Sequence, residues 1–179
     1  IANNYQPPAT VTLAYPAFAE GDLITLEAAG ADIEGFKVSA RGIAPLVLAN
    51  DAIPLADDTP VALTWTPAAD PDRSRVHVKL DISHHGGSKG MIECDTADGG
   101  ALEIAGPLIT ELLDLGVAGF PSIILTRRAV GSAAIAAGRI DLVVSSKVEH
   151  FVDIAGLTSC SADSDCPDGQ TCQADLTCK

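Results

Sequence analysis

The sequence predicts an all-β protein: an antiparallel β-sandwich over residues 9–155 with one short helix, followed by a small disulfide-stapled tail over residues 156–179. Three observations predict it. Short alternating or apolar runs are separated by turn residues at intervals of roughly eight to twelve, the rhythm of a chain that crosses a sheet and returns. Hydrophobic residues make up 47% of the chain, enough for a core, yet there are only one Trp, two Tyr and four Phe, so Val, Ile and Leu must fill it. Four of the five cysteines fall in a final polar stretch that has too little apolar material to bury a core of its own.

Ala9–Tyr15 alternates strictly between two prolines and Pro16, which reads as a strand, and Ile1–Pro8 ahead of it reads as an N-terminal arm. Leu23–Glu27 and Phe36–Ala40 are strands, Ala44–Leu48 a short apolar one, and Asn50–Pro60 a loop. Val61–Thr66 carries the single Trp65, placed as a core pin between the sheets by analogy with Ig-like domains. After the polar turn Pro67–Ser74 comes the clearest strand, Arg75–Ser83. Val76, Val78, Leu80 and Ile82 share one face, while Arg75, His77, Lys79 and Asp81 share the other. The glycine-rich turn His84–Gly90 leads to Met91–Asp95, and a second turn leads to Ala101–Ile104. Pro107, the helical spacing of Leu108, Ile109, Leu112, Leu113 and Leu115, and Gly116 past the end predict a helix. Ser122–Thr126 and Arg139–Ser145 are strands, Gly131–Gly138 a loop or one helical turn, and Val148–Ile154 the last strand. That makes about nine to eleven short strands, a sandwich count.

The net charge of −13 repels a phosphate backbone and an anionic membrane surface. It suits a protein kept in solution outside the cytoplasm, or a calcium-rich surface. No apolar run reaches the roughly 18 residues of a spanning helix. The chain opens Ile1-Ala2-Asn3-Asn4 without Met, which reads as a mature or trimmed form.

Cys160, Cys166, Cys172 and Cys178 stand six residues apart, with polar text between them. Two disulfides in an oxidising compartment are the expected solution, and three pairings are open. Zinc fits poorly, because its ligands usually come two to four residues apart and the segment holds no His. Cys94, in Met91-Ile92-Glu93-Cys94-Asp95, reads as a small buried hydrophobe rather than a reactive thiol.

The run Cys160-x-x-Asp163-x-Asp165-Cys166-x-x-Gly169-x-x-Cys172-x5-Cys178 resembles short cysteine-rich modules in exported proteins of myxobacteria, and more loosely those of Dickkopf-type secreted proteins. Leu63-Thr64-Trp65-Thr66-Pro67, Ile92-Glu93-Cys94-Asp95 and Ile123-Ile124-Leu125-Thr126-Arg127 are similar to an exported domain of the same bacteria. That resemblance implies an Ig-like sandwich of undefined function in a Gram-negative bacterium, secreted, periplasmic or on the cell surface. It implies no ligand.

Leu80-Asp81-Ile82-Ser83-His84-His85-Gly86-Gly87 resembles the strand-end His-His-Gly segment of metallo-β-lactamase-type hydrolases. That family also needs an upstream His-x-His-x-Asp-His cluster. The chain has four His (His77, His84, His85 and His150) and no such cluster, so the metal set cannot be assembled. A simpler zinc or copper site would need the turn to bend His84 and His85 together with His77, His150 or an Asp. Calcium would use Asp70 and Asp72, Asp57-Asp58, or Asp163, Asp165 and Asp168, although Asp is common in turns for backbone reasons. There is no Gly-x-Ser-x-Gly, phosphate loop or dinucleotide fingerprint. The scarcity of aromatics argues against a sugar cleft.

These readings converge on a non-enzymatic surface, adhesion or assembly module with a protein or surface partner and no cofactor. In one version Ile1–Pro8 adds to a neighbouring subunit. The alternatives are a metal-binding extracellular module using calcium, zinc or copper, and a hydrolase without a recognisable motif.

Overall fold

A computed structural model describes residues 10–12 and 17–179. The arm over 1–8 lies outside these residues, as does most of the strand expected over 9–15. Thr10–Thr12, its described part, is exposed and outside any strand.

The described chain is mostly β. One layer is a four-stranded antiparallel sheet in the order β6-β5-β8-β9, built from β5 (Arg75–Asp81), β6 (Met91–Ala97), β8 (Ser122–Ile135) and β9 (Gly138–Phe151). The facing layer is smaller. Its antiparallel pair is β4 (Val61–Thr64) with β7 (Ala101–Ile104), extended where Leu48 bridges Trp65. The expected strand over Ala44–Leu48 thus survives as that bridge and as Ala49 N–H donating to the Thr64 carbonyl at 2.8 Å.

Alternation explains the packing. Val76, Val78 and Leu80 of β5 and Ile123 and Leu125 of β8 turn inward and are fully buried. They meet Val61, Leu63 and Trp65 from β4 and Ile104 from β7. Helix α1 (Gly106–Asp114) sends Ile109 and Leu112 into the same core. Pro107 opens it, where a missing N–H costs nothing. Thr110 Oγ1 donates to Asp57 Oδ1 at 2.6 Å and accepts from Asp58 N–H at 2.8 Å, which ties the helix to the preceding loop.

That loop, expected to be irregular, contains β3 (Pro54–Leu55). It pairs in parallel with β10 (Asp153–Ile154), a short exception to the antiparallel pattern.

The largest correction concerns residues 122–154. One loop and three strands were expected there, and a single hairpin of two 14-residue strands is found. Its register runs unbroken from Ser122 opposite Phe151 to Ile135 opposite Gly138. The Ala-rich Gly131–Gly138 stretch is the hairpin's distal end, strand to Ile135 with a tight turn at Ala136-Ala137, rather than a longer loop or a helical turn. Its small residues have a cause: β2 (Glu34–Arg41), paired with β1 (Leu23–Gly30), crosses it closely. A Cβ on Gly131 would stand 1.8 Å from the Ser39 carbonyl oxygen. Ala40, Ile43, Ala129 and Val144 form a second, smaller core at this crossing.

Candidate functional site

The candidate metal residues come first. The turn after β5 is fixed by side chains that bond to nearby backbone. Asp81 Oδ1 accepts from Ser83 N–H at 2.9 Å, and Ser83 Oγ accepts from Lys89 N–H at 3.0 Å. His85 takes a positive φ of 64°, and this bend brings the His84 and His85 rings to a centroid separation of 3.9 Å. The turn therefore does bring the two histidines together. Among the described residues no cluster of three metal-ligating groups includes them. His84 Nε2 lies 3.7 Å from Glu149 Oε1, and His77 faces Glu93 on a different part of the sheet. Asp70 is engaged by Arg73 at 2.6 Å in its own turn, away from the histidines, and Asp72 brings no further ligand to it. Among the described residues the one cluster of three metal-ligating groups is Cys160, Cys166 and Cys178, whose sulfurs are held in disulfides.

Ser122, Glu149 and His84 adjoin one another, but not in the order of a hydrolytic triad. Ser122 Oγ donates to Glu149 Oε1 at 3.0 Å, so the carboxylate stands between hydroxyl and imidazole. A nucleophilic Ser needs the base on its own hydroxyl, and Ser122 is fully buried. Burial works against the Glu149 charge. The Ser122 hydrogen bond and the charges of Lys147 and His84 outweigh it and hold the carboxyl below its ordinary range. The group is a polar tie across the outer face of the sheet.

A second polar cluster lies inside the sandwich and escaped sequence reasoning. Arg127 on β8 and Asp98 in the β6–β7 turn are 1% and 0% exposed. Arg127 Nε donates to Asp98 Oδ2 at 2.6 Å and Nη2 to Oδ1 at 2.9 Å. Ser74 Oγ and the Trp65 indole N–H donate to the same carboxylate at 2.6 and 2.9 Å. The remaining guanidinium hydrogens reach the carbonyls of Ala44, Pro45 and Thr66. Burial disfavours the Asp98 charge, but the bonds from Arg127, Ser74 and Trp65 prevail and its pKa is lowered. No buried side-chain polar atom among the described residues lacks a partner, so the cluster has no valence left for a ligand. One signal was present in the sequence. Ile123 and Leu125 set the inward parity of β8, and Arg127 is the next residue on it.

Trp65 thus pins the core as expected, with a hydrogen bond added. Cys94 is half-buried rather than fully buried. It is a free thiol packed against the core from the edge strand β6.

The tail is stapled by crossed disulfides, Cys160–Cys172 and Cys166–Cys178. It docks on the sandwich at the Gly119 loop. Gly119 N–H donates to the Asp175 carbonyl at 2.7 Å, and Ser159 Oγ donates to the Gly119 carbonyl at 2.5 Å. Phe120 N–H donates to the His84 carbonyl at 2.8 Å, so tail, Gly119 loop and His-His turn form one patch. Gly119 has φ +62°, and a Cβ there would stand 2.1 Å from the His84 oxygen, so only glycine fits.

Among the described residues, β9 pairs only with β8 and is an end strand. A notch of about 310 Å³ opens beside it, lined by Ala17, Phe18, Ile43 and Pro45 and by Ser145, Ser146 and Lys147 of β9. Comparison of the chain with protein-family models, curated proteins and solved structures finds no match.

Proposed function

We propose that the chain is a non-enzymatic extracytoplasmic module that presents a surface to protein partners, in adhesion or assembly. The observation that carries this reading is the long, bulge-free edge of β9. It offers a row of backbone donors and acceptors, the usual template for adding another strand. The two disulfides support an oxidising compartment outside the cytoplasm. The satisfied Arg127–Asp98 cluster and the buried Ser122 leave the two most conspicuous polar groups with work inside the fold.

Native mass spectrometry of the unreduced protein, before and after chelator, tests the proposal. The expected mass is metal-free and four hydrogens below that of the reduced chain. A stoichiometric ion that leaves with chelator would overturn it in favour of the metal-binding alternative, with His84 and Glu149 as the first residues to substitute. A fully reduced chain would remove the argument for export.

A further inference from the structure

Five of the six arginines are held by aspartates: Arg73 by Asp70, Arg75 and Arg128 by Asp95, Arg127 by Asp98 and Arg139 by Asp141. Arg41, the last residue of β2, is the exception. Among the described residues its one hydrogen bond runs from Nη1 to the Gly21 carbonyl at 3.0 Å, and it forms no ion pair. Residues 1–9 and 13–16 contain no Asp or Glu that could supply one. A guanidinium presents its N–H donors in a rigid fork that matches a carboxylate.

Arg41 lines a cavity of about 160 Å³ between the segment before β1 and the Pro67–Ser74 turn. Bonds within the protein fix its walls. Gly21 N–H donates to the Gly42 carbonyl at 2.9 Å and Gly42 N–H to the Asp22 carbonyl at 2.8 Å, which hold the segment before β1 against the end of β2. Glu20 Oε1 accepts from Ala69 N–H at 2.8 Å and ties the same segment to the turn. The floor is Ile43, Ala68 and Ala129, all buried, beside Ser74, whose hydroxyl is anchored on Asp98. A site fixed in this way loses little further freedom when it is filled.

The charges at the rim select the ligand. Arg73 and Asp70 engage each other, which leaves the Arg41 guanidinium and the second oxygen of Glu20. A plain anion would meet Glu20 and the net charge of −13, and a plain amine would meet Arg41. A carboxylate and an ammonium one carbon apart satisfy both groups. The apolar floor suits an aliphatic side chain, and since a cavity of about 150 Å³ takes up benzene, the space holds a molecule of roughly six to eight non-hydrogen atoms.

We propose that this cavity binds a small aliphatic α-amino acid, with its carboxylate on Arg41, its ammonium on Glu20 and its side chain on the floor. The inference goes beyond the surface-module reading and does not rest on it.

The test titrates L-valine into the unreduced full chain and follows backbone amide shifts by NMR. Saturable binding is expected, with the shifts centred on Gly21, Gly42 and Ala69. Isovalerate, which lacks the amine, and isobutylamine, which lacks the carboxylate, should each bind weaker by about tenfold or more. Arg41→Met and Glu20→Gln should weaken valine binding by a similar factor and leave the melting temperature unchanged. Should either variant fail to fold, the comparison of valine with its two half-molecules on the parent protein decides the matter. Absence of saturable binding up to the solubility of valine would overturn the proposal. So would shifts centred elsewhere, a half-molecule that binds as tightly as valine, or folded variants that bind as tightly as the parent.

Discussion

Asp98 and Arg127 show how much depends on completeness when a charge is buried. Two ions removed from water recover their hydration only if every lone pair and proton finds a partner, and here Ser74, Trp65 and three carbonyls supply them. Asp98→Ala leaves the guanidinium buried and uncompensated, and a loss of about 3–5 kcal/mol is expected by urea denaturation. Trp65→Phe removes one donor and keeps most of the packing, so a smaller loss of about 1–2 kcal/mol is expected. Equal losses for the two variants would show that the carboxylate does not organise the cluster. Asp175 differs because it is only partly buried. The Thr177 hydroxyl, followed by Lys179, holds its carboxyl at about 2, against an ordinary value of 3.8.

The long β8–β9 hairpin illustrates a conflict between local preference and tertiary packing. Gly131-Ser132-Ala133-Ala134-Ile135-Ala136-Ala137-Gly138 has weak strand character by composition. It is strand as far as Ile135, turning at Ala136-Ala137, because β2 lies across it and admits nothing larger at Gly131. Gly131→Val should push β2 away and destabilise the protein by about 1–3 kcal/mol, seen as a lowered melting temperature. Unchanged melting would mean that the crossing is loose. The tail holds together by a different means. Each disulfide closes a loop between cysteines 12 residues apart and contributes roughly 3 kcal/mol by restricting the unfolded chain. Mild reduction should expose the segment after Gly156 to protease while the sandwich stays protected. Simultaneous cleavage throughout would show that the tail supports the sandwich rather than resting on it.

For the molecule as a whole, acidity and stability are linked through the same carboxylates. Asp81, Asp95, Asp98, Glu149 and Asp175 all have lowered pKa values. Each binds its proton more weakly in the folded chain than in the unfolded one. Their stabilisation is therefore complete above the ordinary carboxylate range and is lost as pH falls through the folded values. For Asp175 that window runs from 3.8 down to about 2. Stability should be flat near neutrality and decline steeply below about pH 4, which denaturant midpoints across a pH series would reveal. A midpoint that rises on acidification would mean that relief of the −13 net charge outweighs these groups.

Much of the fold was legible because period-two alternation is a local property. Val76, Val78, Leu80 and Ile82 announced a half-buried strand, and the helix announced itself through Pro107 and its apolar spacing. The disulfides could also be read, since four cysteines in a polar segment leave few other ways to hold it. The pairing could not, because equal spacing makes the three closures alike and only the folded tail distinguishes them. Nor could the hairpin's length, which β2 imposes from roughly a hundred residues away. The Arg127–Asp98 cluster was hidden for the same reason: its donors and acceptors come from five separate segments, Ala44-Pro45, Trp65-Thr66, Ser74, Asp98 and Arg127. Local sequence thus determined which residues face inward and that disulfides hold the tail. Tertiary structure alone decided which distant groups meet, because contacts between remote segments leave no periodic trace in any one of them.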